Sequence, residues 1–275
     1  MPKLFRASGS LAVGIVALGL ATSAAATTLS ITVTNTQSSG GLSITPLYLG
    51  FHNGDFDAFD VGSAASEGVR EIAETGAPGP VAGERLAADP AAQGLFLPSP
   101  SGPPPIQPGE TVSTQFTLNG TSEIFLTYLA MVLPSNDTFI GNDDPMAYQL
   151  LDAAGNFLGD QTIEVTGADI YDAGTEVNGL LGSAFVAGQD IALGDDENGV
   201  ITAGQDLSEF AGVELATGDI LGTAGQIDFL SDPANFSLLR IEITEVAPIP
   251  LPASAPMLLA ALGFLGWRAK RKAQA

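Results

Sequence analysis

Residues 29–34 alternate apolar and hydroxyl side chains: Leu29, Ile31 and Val33 on one parity, Ser30, Thr32 and Thr34 on the other. A period of two is that of a strand with one buried face. The same alternation returns near the far end, where Leu239, Ile241 and Ile243 interleave with Arg240, Glu242 and Thr244. Between them lie short apolar runs at 44–51, 112–118, 124–133, 147–151, 162–165 and 225–230. Clusters of Gly, Asn, Asp and Pro separate them, as at 35–41, 119–120, 154–156 and 198–199. Strand-length runs divided by such turns predict an all-β chain folded as an antiparallel β-sandwich. One stretch breaks the pattern. Within 62–75, Val69, Ile72 and Ala73 recur at helical spacing behind Ser63 or Ser66 as an N-cap, which predicts one short helix. Residues 76–109 hold Pro98, Pro100 and Pro103-Pro104-Pro105, and read as one long Pro/Gly-rich irregular loop. Both terminal strands are needed to close a sandwich, so residues 27–246 read as a single domain.

The two ends have a different pattern. Lys3 and Arg6 precede an unbroken apolar core at 11–20, and Ala24-Ala25-Ala26 supplies small residues after it. That order is the order of a signal peptide, residues 1–26. An uncleaved anchor is the alternative, but ten apolar residues are short for a bilayer. At the C-terminus, Ile249-Pro250-Leu251-Pro252-Ala253 is followed by an apolar run at 256–267 and by Arg268, Lys270, Arg271 and Lys272. Trp267 suits a membrane interface, and the basic cluster belongs on the cytoplasmic side. Motif, apolar transmembrane helix and basic tail together resemble the PEP-CTERM class of bacterial sorting signals, in its V-P-L-P-A variant. That resemblance makes residues 247–275 a sorting signal and implies an exosortase-type processing enzyme as a partner. A plain tail anchor, holding the chain in the inner membrane, is the other reading.

Charge sharpens the picture of the middle. Nine Lys and Arg stand against 31 Asp and Glu, for a formal net charge of −22. Six of the nine bases lie in the two end segments, and all the acids lie between Asp55 and Glu245. The domain itself therefore keeps only Arg70, Arg85 and Arg240. Such a surface repels nucleic acid and anionic lipid. The absence of Cys excludes disulfides, zinc–thiolate sites, Fe–S clusters and thiol nucleophiles. The lone His52 has no G-x-S-x-G or H-E-x-x-H context, and it reads as a structural or surface residue at a strand end. The acidic stretch at 190–206 fails the EF-hand pattern, with Gly194 and Gln205 where acids are required.

Two other acidic loops carry more chemistry: Pro134-Ser135-Asn136-Asp137-Thr138 with its continuation to Asp144, and residues 169–176, in which Asp172 and Glu176 flank Gly174. Clustered carboxylates repel one another, and Ca²⁺ relieves that repulsion by taking six to eight oxygens from flexible loops. These segments resemble the P-S-P-D-W-x-V-G and W-D-A-G-T-D motifs of the spondin domain. Residues 31–36, 40–47, 50–60, 64–68, 84–89 and 235–246 add to the resemblance, which spans about 29–246. It implies a C2-like β-sandwich with Ca²⁺ at one end, and as metal ligands Asp137, Asp172 and Glu176. Thr138 stands where the motif has Trp, and Glu176 where it has Asp.

The expected function is that of an exported, surface-sorted adhesion or matrix component without catalytic residues, with an extracellular polysaccharide or surface ligand as partner. A secreted hydrolase using Ca²⁺ or a carboxylate pair, and a structural envelope protein held by its C-terminal helix, remain open alternatives. Intact mass of the exported protein checks the two end segments: residues 1–26 and 254–275 should both be missing, and a retained tail would favour the anchored form.

Overall fold

The computed structural model describes residues 26–98, 105–119 and 124–247. The expected signal peptide, save Ala26, and the expected C-terminal helix with its basic tail lie outside the described residues. In chain order the elements are β1 (Thr27–Asn35), β2 (Ser43–Ile44), β3 (Leu47–His52), α1 (Glu67–Thr75), α2 (Gly79–Ala88), β4 (Gln93–Leu97), β5 (Thr111–Leu118), β6 (Ile124–Leu133), β7 (Thr138–Gly141), β8 (Gln149–Leu151), β9 (Gln161–Thr166), β10 (Ile170–Asp172), β11 (Thr202–Ala203), α3 (Ala224–Ile227) and β12 (Ser237–Glu245).

The strands form two antiparallel sheets. The smaller runs β5-β1-β12-β9; the larger runs β11-β10-β7-β6-β3-β4, with β2 and β8 also paired to β6. In β1 the alternation predicts the faces: Leu29, Ile31 and Val33 are fully buried, and the hydroxyl residues between them are not. On the outer face those hydroxyls pair across to β5, Thr32 with Ser113 at 2.9 Å and Thr34 with Thr111 at 3.0 Å. β12 lies between β1 and β9, with Leu239, Ile241 and Ile243 turned inward.

β6 behaves differently, because all ten of its residues are buried. Its Ile124, Leu126, Tyr128, Ala130 and Val132 join the core between the sheets. Leu129, on the opposite parity, packs into a second core with Phe59, Phe139, Val69, Ile72 and Val81. The large sheet is therefore covered on both faces, by the small sheet on one and by α1 and α2 on the other. A strand buried on both faces reads as a continuous apolar run, as this one does.

The helical layer departs from the sequence expectation. α1 is the expected helix: Ser66 Oγ accepts from Val69 N–H at 3.2 Å, and Gly76 ends it at φ 72°. Residues 76–109, expected to be one irregular loop, instead contain α2 and the edge strand β4. Pro80 sits in the first turn of α2, where a missing N–H costs nothing. Glu84 of α2 then accepts from Ser66 Oγ at 2.9 Å and from Gly68 N–H at 2.8 Å, which binds the two helices together. Gly68 is required there, since a Cβ on it would come within 2.6 Å of the Val81 Cα. The run at 225–230, expected to be a strand, holds the short helix α3, which turns Ile227 inward. Among the described residues no helix is long and apolar enough to cross a membrane.

His52 is a structural residue, 1% exposed at the end of β3. Gly54 N–H donates to its Nδ1 at 3.1 Å, so Nε2 carries the proton and donates to Thr127 Oγ1 at 3.0 Å. Burial is the main cause that pushes its pKa down to about 4; Asp89 opposes the shift and Arg85 adds to it. The folded value lies below the unfolded one, so between the two the unfolded chain holds a proton that the folded chain does not. The stability that His52 contributes should therefore fall as the pH drops from about 6.5 toward 4, against the opposite trend of any carboxylate whose pKa the fold raises. Urea unfolding near pH 7 and near pH 4.5 should show a smaller acid loss in His52→Gln than in the wild type. Equal losses would refute this role.

Candidate functional site

The β7–β10 ladder builds the acidic end. Asp172 on β10 is paired with Thr138 on β7, so Asp137, the residue before β7, comes alongside the chain as it leaves β10. Ala173 N–H closes this corner by donating to the Asp137 backbone carbonyl at 3.1 Å. Gly174 then turns the chain at φ 64°, close against the backbone of Val200. The segment after it is held by 195–199: Gly199 N–H donates to the Gly174 carbonyl, Glu197 N–H to that of Thr175, and Val177 N–H to that of Asp195.

This return brings Glu176 back over Asp137. The N–H groups of Thr175 and Glu176 donate to Asp137 Oδ2 at 2.9 and 3.0 Å. Asp137 is fully buried, and its other oxygen, Oδ1, has no hydrogen-bond partner. Glu176 is 8% exposed, and its Oε2 is likewise buried without a partner. Asp172 is satisfied on both oxygens, Oδ1 by Gly174 N–H at 2.7 Å and Oδ2 by Asn178 Nδ2 at 2.7 Å.

The electrostatics follow from this crowding. Burial, then the charge of Asp172, raises the Asp137 pKa to about 6 against the two backbone N–H donors. Burial, then the charges of Glu74, Asp137 and Asp196, raises that of Glu176 to about 7. Glu74, from the last turn of α1, and Asp196 thus belong to the same acidic cluster. Neither was among the expected site residues, and neither has a local motif to mark it. Gln205 was also missed. It braces the floor, donating from Nε2 to Thr138 Oγ1 at 2.7 Å and to Asn136 Oδ1 at 3.2 Å. An open groove of about 390 Å³ lies alongside, between Glu74, Thr175, Asp196 and Asn198.

The sequence-expected residues are thus brought to one end of the fold, with unequal roles. Asp137 and Glu176 each present a buried, unpartnered carboxylate oxygen, the donor type of a hard cation. Asp172 is held in hydrogen bonds beside them. Among the described residues no group of three or more His, Cys, Asp or Glu is arranged to hold a metal ion. Asp137 and Glu176 thus offer two unpartnered oxygens, while both oxygens of Asp172 are engaged in hydrogen bonds.

A family model described as Spondin_N matches residues 43–184, just over half of the 275-residue chain, and its span contains Asp137, Asp172 and Glu176. No curated protein matches the chain.

The glycines of this end separate backbone constraint from side-chain placement. A Cβ on Gly174 would meet Val200 backbone atoms, at a positive φ. The three atoms nearest to a Cβ on Gly194 would all belong to the Glu176 carboxylate, the far end of a flexible side chain. Gly174→Ala should cost roughly 1–3 kcal/mol in urea unfolding. Gly194→Ala should cost less than about 1 kcal/mol, because Glu176 can swing aside. Equal costs would mean that Glu176 is rigidly held.

Proposed function

Because the chain belongs to the Spondin_N family, which fits an extracellular protein of the adhesion or matrix type, we propose that it is an exported, surface-sorted β-sandwich of the C2-like kind that binds Ca²⁺ at its acidic end and acts without catalysing a reaction. Residues 1–26 direct export. Residues 247–275 place the chain at the inner membrane until an exosortase-type enzyme removes the helix and tail.

The pair of unpartnered oxygens, Asp137 Oδ1 and Glu176 Oε2, carries the calcium reading. The acids around it add support. Arg70 forms ion pairs with Glu67, Glu71 and Glu74, and Arg240 with Glu164, so the described ion pairs leave Asp137, Asp172 and Glu176 without a basic partner. Bound Ca²⁺ would supply positive charge and draw loop oxygens together. Asp137 would hold it from a position fixed by two backbone N–H groups, Glu176 would close over it from the turn, and Asp172 would join after releasing Asn178. The groove beside Thr175 and Asn198 then offers the ligand side of the site, suited to an extracellular polysaccharide or other surface ligand.

Calorimetry on the exported protein tests the metal. Ca²⁺ should bind with a dissociation constant of about 10⁻⁴–10⁻³ M, typical of extracellular modules. Asp137→Asn, which keeps an amide oxygen for the two backbone donors, should weaken binding at least about tenfold, as should Asp172→Ala. No heat up to about 10 mM Ca²⁺ would overturn the calcium reading. A strain lacking the protein should attach and aggregate less, and unchanged attachment, aggregation and biofilm would overturn the adhesion reading.

A further inference from the structure

Of the three bases in the domain, Arg70 and Arg240 sit at the surface in ion pairs. Arg85 is different. It is 5% exposed and forms no ion pair among the described residues. Its Nε donates to the Tyr48 hydroxyl at 2.7 Å, and its Nη1 is buried without a hydrogen-bond partner. The nearby acids are engaged elsewhere. Glu84 accepts from Ser66 Oγ and Gly68 N–H, and Asp89 from the backbone N–H groups of Asn53 and Ala91. A buried guanidinium without a carboxylate is costly, and it is anomalous in a chain with 31 acids.

The fold makes room for this side chain. Gly50 on β3 and Gly94 on β4 face each other across the ladder. A Cβ on Gly50 would come within 3.0 Å of Arg85 Cδ, and one on Gly94 within 3.3 Å of Cζ. The guanidinium lies on this bare patch of sheet, under α2, as one wall of a groove of about 250 Å³. The other walls include Tyr48, Pro78, Ala82, Leu95 and Phe96. Phe96 is 39% exposed on the edge strand. The groove thus has one polar wall, formed by a cation and a hydroxyl, with apolar walls around it.

We propose that this groove binds a small monocarboxylate with an aromatic body. A planar guanidinium matches a carboxylate, and the Tyr48 oxygen, which accepts from Arg85, keeps its own hydrogen to donate to the same ligand. One cation calls for one negative charge: a dianion would bring a second into an already acidic domain. The volume exceeds the roughly 150 Å³ cavity that holds benzene, so a ring and its carboxylate fit. Phe96, with Pro78 and Ala82 on the helical wall, supplies the surface against which an aromatic ring packs. The site lies on the helical side of the β3–β4 edge and uses none of the acidic residues assigned to calcium.

Phenylacetate is the probe, with phenylacetamide as its uncharged counterpart. Titration of the exported protein, followed through the backbone amides of Gly94, Leu95 and Phe96, should show saturable binding of phenylacetate. Phenylacetamide should bind at least about tenfold more weakly, as should phenylacetate to Arg85→Gln. Ala82→Trp keeps the Arg85–Tyr48 pair but fills the groove, and should abolish binding even if Arg85→Gln fails to fold. A chelator should leave binding unchanged. The proposal is overturned by equal affinity for the amide, by unchanged binding in Ala82→Trp, by loss of binding with the chelator, or by no shift at about 20 mM phenylacetate.

Discussion

β6 is the constraint on which the other elements depend. A strand buried on both faces cannot be satisfied by a two-layer sandwich alone. One parity of its side chains needs the small sheet and the other needs the helices. Its hydrogen-bonding edges take β3 and β7 directly, with β2 and β8 at its ends. β7 in turn brings β10, and β10 brings the acidic corner. Both candidate sites are consequences of this central placement. The carboxylates lie where the β7 side of the sheet ends in loops, and the Arg85 groove lies where the β3 side ends at an edge covered by α2.

The acids of the chain are mostly not paired with bases, and the structure shows what replaces them. Asp144, Asp152, Asp190, Asp206 and Asp228 each accept from backbone N–H groups two to four residues on. These carboxylates terminate turns, so a loop-rich sandwich can carry many of them without salt bridges. Against this background Asp137 and Glu176 stand out as carboxylates with an unpartnered oxygen, and Arg85 as a cation with an unpartnered nitrogen.

What could be read in the sequence depended on how many faces an element buries. β1 and β12 bury one face, and their alternation shows it residue by residue. β6 buries two, and its length still marked it as a strand. β7 and β10 were hidden inside what looked like acidic loops, because three or four residues are too few to show a period. α2 was hidden by composition: Gly79, Pro80 and Gly83 suggest a loop, yet Pro80 falls in the first turn and Val81 with Arg85 provides the inward side. Asp137, Asp172 and Glu176 were visible through their motifs. Glu74 and Asp196 were not, since only the tertiary fold brings α1 and the 195–199 segment to that corner. Arg85 was invisible as a site residue for the same reason. In sequence it is one more polar residue of an expected loop, and its setting comes from two glycines that meet only when β3 and β4 pair.

The position of β12 has a mechanical consequence. Its last residues are the point at which any tether beyond Glu245 would pull on the domain. That strand is flanked on both sides, by β1 through Leu29–Asn35 and by β9 through Gln161–Thr166. A force along its axis loads both ladders in shear, so their hydrogen bonds share the load instead of opening one at a time as at a free edge. A pull on the C-terminal end of β12 would therefore meet two ladders at once, one to each neighbouring strand.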